Sequence, residues 1–218
     1  MAGVLKVGLT GGIACGRSAA AGFLAGPGWL ILDADKVAHA LLAEGGGGVE
    51  PVVETFGAAV LREGGGIDRG TLARVVFADA DARRRLERIL HPLILGVIDA
   101  DIASFEARAG EGIVVVDAAL MVETGSYRRY HRLVVVHCPL EVQRERLVRR
   151  DRLSPQEADA RIAAQAPLEA KIAVADYLID TGGFLDRTRE ETMRVKRFLE
   201  EDLRALPLLA PRRPGAIR

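Results

Sequence analysis

The sequence predicts an α/β protein, with a doubly wound parallel sheet of about five strands flanked by helices and interrupted by helical insertions. Two observations lead there. Short apolar runs recur at Val4–Leu9, Trp29–Leu32, Ile113–Val116, Leu133–Val136 and Tyr177–Ile179, each bounded by polar residues or glycine. They are apolar almost throughout instead of alternating, which suits strands buried on both faces. Long amphipathic segments separate them, as strand–helix–strand crossovers require.

The first run feeds the loop GLTGGIACGRSAA, residues 8–20. Gly11, Gly16 and Ser18 hold the fixed positions of G-x-x-x-x-G-K-[ST], after a strand and before an alanine-rich segment with helix propensity. That context defines a P-loop, in which successive backbone N–H groups and a helix N-terminus face a phosphate. The candidate ATP-binding stretch is therefore Gly11, Gly12, Ile13, Ala14, Cys15, Gly16, Arg17, Ser18 and Ala19, with Ser18 the candidate Mg²⁺ ligand. A glycine-rich turn without a ligand is the plainer alternative. A dinucleotide fingerprint is excluded because no G-x-G-x-x-G occurs here.

Arg17 stands where such loops place lysine. Arginine keeps the charge but spreads it over a wide planar fork, so the exchange is not conservative. Losing a transition-state contact costs ~3 to 4 kcal/mol, and a retained charge makes the loss smaller. An Arg17 drawn away to Asp117 would count for a degraded site; a loop open to an anion would count for a working one.

The second run ends in Asp33-Ala34-Asp35, at a strand's carboxyl end, where open α/β sheets bind ligands. Residues i and i+2 of a strand share a face, so both carboxylates can point to one cleft, one of them as a general base. A helix N-cap at Asp35 beside a solvated Asp33 is the alternative. Residues 39–109 follow with a helical pattern throughout, broken by glycines at 45–48 and 64–66. Residues 141–171 are charged and helix-prone, and Ser154-Pro155 reads as an N-cap and first helical position. Residues 206–218, rich in proline and arginine, read as a flexible tail.

Thirty basic and thirty acidic side chains cancel, so no global field draws in nucleic acid or an anionic membrane. The two cysteines, Cys15 and Cys138, lie far apart in no metal-like or redox-like spacing and without a visible activating partner, which reads as structural and fits a reducing compartment. No apolar stretch approaches the length of a membrane span. A soluble, cytoplasmic protein of unspecified oligomeric state is expected.

With these motifs placed, the chain resembles the dephospho-coenzyme A kinases from about Leu5 to about Leu203. The resemblance is carried by G-L-T-G-G-I, by D-A-D at 33–35, by F-A-D at 77–79 and by L-H-P at 90–92. It continues through the apolar run with Asp117 and Glu123, R-L-V-R-R-D at 146–151, R-I-A-A-Q at 161–165 and A-D-Y-L-I-D at 175–180. The resemblance implies transfer of the γ-phosphate of ATP, with Mg²⁺, to the ribose 3′-hydroxyl of dephospho-coenzyme A. It implies a nucleotide-binding core (1–38, 110–140 and 172–205), a helical acceptor domain (39–109) and a lid (141–171). Asp33 is implied as base and Arg17 as the donor-side catalytic cation. Thr10, Asp35, His91, Glu123, Arg161 and Gln165 are implied on the acceptor side, with Arg146 and Arg150 over the nucleotide.

Some of this has independent physical support. Arg146 and Arg150 are spaced i, i+4, as are Arg161 and Gln165, so each pair shares a helix face. Solvated helical pairs would look the same, and His91 could equally be a buried structural histidine. The departures gather on the donor loop. The family usually reads G-G-I-G-S-G-K-[ST]-T, against Ala14, Cys15, Arg17 and Ala19 here. Ala119 and Thr181 stand where proline and asparagine are common. If residue 14 needs a positive φ, alanine there costs roughly 1 to 2 kcal/mol. A kinase with a retuned loop, a weakened nucleotide or coenzyme A-precursor binder, and a kinase for another hydroxyl acceptor all remain open.

Overall fold

The computed structural model describes residues 3–208 of the 218-residue chain. In chain order the regular elements begin with β1 (Val4–Gly11), α1 (Arg17–Leu24) and β2 (Trp29–Asp33). Next come α2 (Ala34–Leu41), α3 (Val49–Phe56), α4 (Arg69–Ala78) and α5 (Ala80–Ala109). The remainder is β3 (Gly112–Asp117), β4 (Arg132–His137), α6 (Leu140–Asp151), α7 (Pro155–Ala163), α8 (Leu168–Ile172), β5 (Tyr177–Asp180) and α9 (Leu185–Arg204). All five apolar runs are strands.

The strands form one parallel sheet in the order β2-β3-β1-β4-β5. Val7 is in register with Val115 of β3 and Arg132 of β4, and β4 pairs with β5 from Val134–Tyr177 onward. Every residue of β3 is buried, which explains its unbroken apolar run. Leu5, Val7 and Leu9 of β1 pack with Ile113, Val115, Val134, Val136 and Ile179 of neighbouring strands against Leu24 of α1 and Val195 and Leu199 of α9. Such buried leucines contribute about 2 to 5 kcal/mol each against alanine. β1 runs two residues past the apolar stretch, to Gly11. There a Cβ would collide with the Val136 carbonyl oxygen, so only glycine lets the two strands stay paired up to the loop.

The chain divides into two compact units, Asp33–Ser104 and the remainder. The division falls earlier at both ends than the 39–109 read from the sequence. Asp33 caps α2 and begins the second unit at once, and α5 continues through Ser104 without a break. The second unit has its own small core of Leu42, Val52, Val60, Ile67, Leu72 and Leu90. Its helices start as their sequences direct. Asp68 caps α4 by accepting from the N–H groups of Gly70 and Thr71 at 2.9 and 3.2 Å. Pro92 sits inside α5, where it removes one backbone donor from the helix.

Residues 141–171 stay within the first unit as α6, α7 and α8. Ser154 caps α7 in a reciprocal box with Glu157, and Pro155 is the first helical residue. The stretch read from sequence as a flexible tail begins in regular structure. Residues 206–208 form a 3₁₀ turn, with Leu206 packed on the core, and residues 209–218 lie outside the described residues. Among the described residues no helix is long and apolar enough to cross a membrane.

Candidate active site

The loop between β1 and α1 is built by two left-handed residues. Ala14 has φ +59° and Gly16 φ +77°, with a Cys15 N–H to Gly12 carbonyl turn of 3.1 Å between them. The positive φ asked of residue 14 is therefore real, and alanine bears the strain. No side chain caps the N-terminus of α1. Its first N–H groups and partial positive charge sit beside the loop, the arrangement that receives a phosphate. Ser18 is exposed in that first turn.

Arg17 Nε lies 2.6 Å from Asp117 Oδ1 at the carboxyl end of β3, with side chains 15% and 4% exposed. The sequence reading named this pairing as the mark of a degraded site, and it is present. It joins residues a hundred positions apart, because β1 and β3 are sheet neighbours. The guanidinium stays next to the loop while being charge-compensated. An incoming phosphate must therefore compete with a carboxylate for it.

Residues of the 141–171 segment and the one that follows β5 hold the loop from the side. The Ile13 N–H donates to Gln165 Oε1 at 2.8 Å. Arg146 Nη1 donates to the Ala14 carbonyl at 3.3 Å and its Nη2 to the Thr181 carbonyl at 2.6 Å. Thr181 Oγ1 donates to the Cys15 carbonyl at 2.7 Å. So Arg146, Gln165 and Thr181 all touch the candidate phosphate loop. Arg150 does not. It forks onto its neighbour Asp151 at 2.7 and 3.0 Å, and Arg161 reaches the same carboxylate at 3.3 Å. Shared helix face was the sequence argument for pairing Arg146 with Arg150; the adjacent carboxylate draws Arg150 to a different partner.

Sequence reasoning missed Lys171. It is fully buried, and its Nζ lies 2.8 Å from Glu123 Oε1, 2.9 Å from the Ala119 carbonyl and 3.3 Å from the Gly11 carbonyl. All three ammonium protons thus have partners, as a buried charge requires. Glu123 Oε1 also accepts from the Ala166 N–H at 3.0 Å. One buried cation therefore ties the end of β1, the turn after β3 and a candidate acceptor-side carboxylate together. A lysine enclosed by Ala170 and Ile172 just before β5 was the available signal. Thr10 is buried and spends its hydroxyl on the Ala119 carbonyl at 3.1 Å.

The buried thiols of Cys15 and Cys138 meet at 3.6 Å. That contact, and the surrounding apolar burial, push the Cys15 thiol well up. The hydrogen bond with Cys15, aided by the Arg146 charge, holds Cys138 below the usual thiol value.

In the second unit, Asp33 itself is the N-cap, accepting from the N–H groups of Asp35 and Lys36 at 3.0 and 3.1 Å. Its other oxygen lies 3.5 Å from Lys36 Nζ. Sequence had offered Asp35 for that capping role; Asp35 instead lies in the first turn of α2. His91 is half-buried on α5, directly before Pro92.

The dephospho-CoA kinase family model matches residues 5–186. A dephospho-CoA kinase of Symbiobacterium thermophilum is 43% identical over 185 residues, 85% of this chain and 77% of that protein. The crystal structure of TT1252 from Thermus thermophilus superposes with a TM-score of 0.77 at 31% identity, covering 91% of this chain and 98% of that one. The dephospho-CoA kinase of Campylobacter jejuni superposes at 0.68 with 28% identity, covering 91% and 98%. A phosphate loop at the head of a five-stranded parallel sheet, matched along most of its length in sequence and in fold, leads to one conclusion: the chain belongs to the dephospho-CoA kinase family.

Proposed function

We propose that this protein transfers the γ-phosphate of ATP to the ribose 3′-hydroxyl of dephospho-coenzyme A, the last step of coenzyme A synthesis, in the cytoplasm. The observation that carries the reading is the phosphate loop, with its uncapped helix N-terminus, inside a family match spanning residues 5–186. Phosphoryl transfer asks little covalent chemistry of a protein; it asks for positioning and for charge neutralisation.

The loop N–H groups and Arg17 take the donor phosphates, and Arg146 holds the loop's outer edge through Ala14. Asp33 is the proposed base. It accepts the hydroxyl proton as the ribose oxygen bonds to the γ-phosphorus and the bond to the ADP oxygen breaks. Glu123, Gln165, Asp35, His91, Arg161 and Thr10 form the acceptor side. Thr10 is fully buried with its hydroxyl on the Ala119 carbonyl, so its part there is to position the end of β1. Arg150 is proposed for the nucleotide side after release from Asp151. The segment 141–171 is the proposed lid.

Mg²⁺ fits this donor set. No cluster of three His, Cys, Asp or Glu ligands occurs among the described residues. Mg²⁺ at kinase sites needs no such cluster, being held by one or two protein oxygens with phosphates and water. Ser18 Oγ, exposed in the first turn of α1, would hold it, and the ion would supply charge compensation for the phosphates. The Arg17–Asp117 pair bears on how firmly the γ-phosphate is gripped, and hence on rate.

The test is ADP release by the purified protein with ATP and Mg²⁺, with and without dephospho-coenzyme A. Acceptor-dependent release supports the reading. Nucleotide binding without turnover on any acceptor would make the protein a binder.

A further inference from the structure

Cys15 and Cys138 are 123 residues apart in sequence, yet their sulfurs lie 3.6 Å apart. One belongs to the phosphate loop, and the other follows directly on β4, the strand beside it. Both are buried. Nothing in the proposed phosphoryl transfer uses either thiol. Three features make the pair more than a packing contact. The sulfurs point at each other, as a hydrogen bond between them requires. Arg146 Nη1 lies 3.8 Å from Cys138 Sγ, so a cation stands beside one sulfur and favours its thiolate. At Gly12 a Cβ would come within 3.0 Å of Cys15 Sγ and 2.8 Å of Gln143 Oε1, so only glycine leaves the sulfur room at that point of the loop.

We propose that Cys15 and Cys138 form a peroxide-oxidisable dithiol whose disulfide closes the phosphate loop to nucleotide. The Cys138 thiolate attacks one oxygen of hydrogen peroxide or an organic hydroperoxide. The S–O bond forms, the O–O bond breaks, and the leaving oxygen departs as water or alcohol after taking a proton. Cys15 then attacks the sulfenic sulfur, forming the S–S bond, and a water leaves carrying the thiol proton. Two thiols lose two electrons, and one peroxide gains them.

A disulfide sets its sulfurs about 2.05 Å apart, so the pair must close by about 1.5 Å. Cys138 follows directly on a central strand that is hydrogen-bonded on both sides. The loop therefore supplies most of the movement. That displacement pulls Ala14 and Cys15 off the Arg146 and Thr181 contacts that shape the cradle. Bound nucleotide, which holds the loop in its open form, protects the thiols.

The inference rests on the loop binding nucleotide, and the experiment separates the two. ATP affinity of the reduced wild type is measured by calorimetry first, and absence of binding there overturns the reading of the loop itself. After treatment with hydrogen peroxide, peptide mapping under non-reducing conditions is expected to recover a Cys15–Cys138 linked peptide. ATP affinity is expected to fall at least tenfold and to return with dithiothreitol, and prior saturation with ATP is expected to slow the change. Cys138→Ser is expected to bind ATP like the reduced wild type and to ignore peroxide. Free thiols in the peroxide-treated protein, a linked peptide with unchanged ATP affinity, or equal sensitivity of Cys138→Ser each overturn the proposal. If Cys138→Ser does not fold, the mapping and the dithiothreitol reversal in the wild type decide alone.

Discussion

Arg17 Nε sits 2.6 Å from Asp117 Oδ1, and this pair decides what kind of phosphate loop the protein has. Removing one member of such a buried pair strands the other, at a cost of roughly 3 to 5 kcal/mol. Exchanging arginine for lysine keeps the pair's charges but not its reach. The Arg17 fork reaches from the loop to Asp117 on β3, and the shorter lysine would leave a gap there. Arg17→Lys is therefore expected to lower kcat about tenfold, with a smaller change in KM for ATP, the mark of a contact made chiefly in the transition state. A rise in kcat would mean that lysine is what this loop lacks.

Asp33→Asn separates a cap from a base. Asparagine caps helices as well as aspartate does, so α2 and the melting temperature are expected to survive. Loss of a general base costs about 10²-fold or more, so kcat is expected to fall by that amount while ATP affinity holds. Turnover at the wild-type rate in a folded Asp33→Asn removes Asp33 from the chemistry.

How much of this was readable from the chain follows the range of the interaction involved. The loop was legible because glycines at 11 and 16 answer local demands: close approach to Val136 and a positive φ. Ser154 was legible because a capping box closes within three residues. Lys171 was not, since its partners lie 48 to 160 residues away in sequence and only the sheet brings them together. The Arg17–Asp117 contact was named in advance as a possibility, yet whether it formed depended on rotamers no pattern encodes. Arg150's fork onto Asp151 was equally illegible, because helix-face reasoning ignores a carboxylate one residue away.

Lys171 gives a test of that long-range wiring. Lys171→Met keeps the volume but removes the charge from Glu123 and from two carbonyls. It is expected to raise KM for dephospho-coenzyme A at least fivefold, with a smaller effect on ATP affinity. In a Glu123→Gln background the same change is expected to cost far less, because coupled residues do not add. Additive losses in the double variant would show that Lys171 acts on stability alone.

The proposed lid, residues 141–171, carries few apolar anchors, Leu147 and Ala158 being its buried apolar residues. Its two longer helices are joined by an exposed Arg144–Asp159 pair at 2.6 Å, a type worth little in water. Amide exchange across residues 141–171 is expected to slow when ATP and acceptor are both present, most of all at 148–163, where Ala158 alone is buried. Equal exchange in both states would take these helices out of the mechanism.

His131 sets an acid limit on the fold. Its Nδ1 accepts the Lys6 N–H at 3.0 Å, which only an unprotonated ring can do. Burial, and then the charges of Lys6 and Arg132, hold its pKa below the usual 6.5. The folded state therefore binds this proton less readily than the unfolded chain. The contribution is complete above about pH 6.5 and fades as pH falls from there through the lowered folded value. Thermal melts at pH 7.5 and 5.5 are expected to show a drop that is smaller in His131→Asn. An equal drop in both proteins would assign the acid sensitivity elsewhere.

The most direct test of the kinase reading locates the transferred phosphate. Wild-type protein at saturating ATP with Mg²⁺ and dephospho-coenzyme A is followed by phosphorus NMR and mass spectrometry of the product. The expected result is one new phosphate on the ribose 3′-oxygen, with one ADP released per product. ATP bound but unconsumed in the presence of this acceptor would contradict the account, and so would a phosphate placed on any other oxygen.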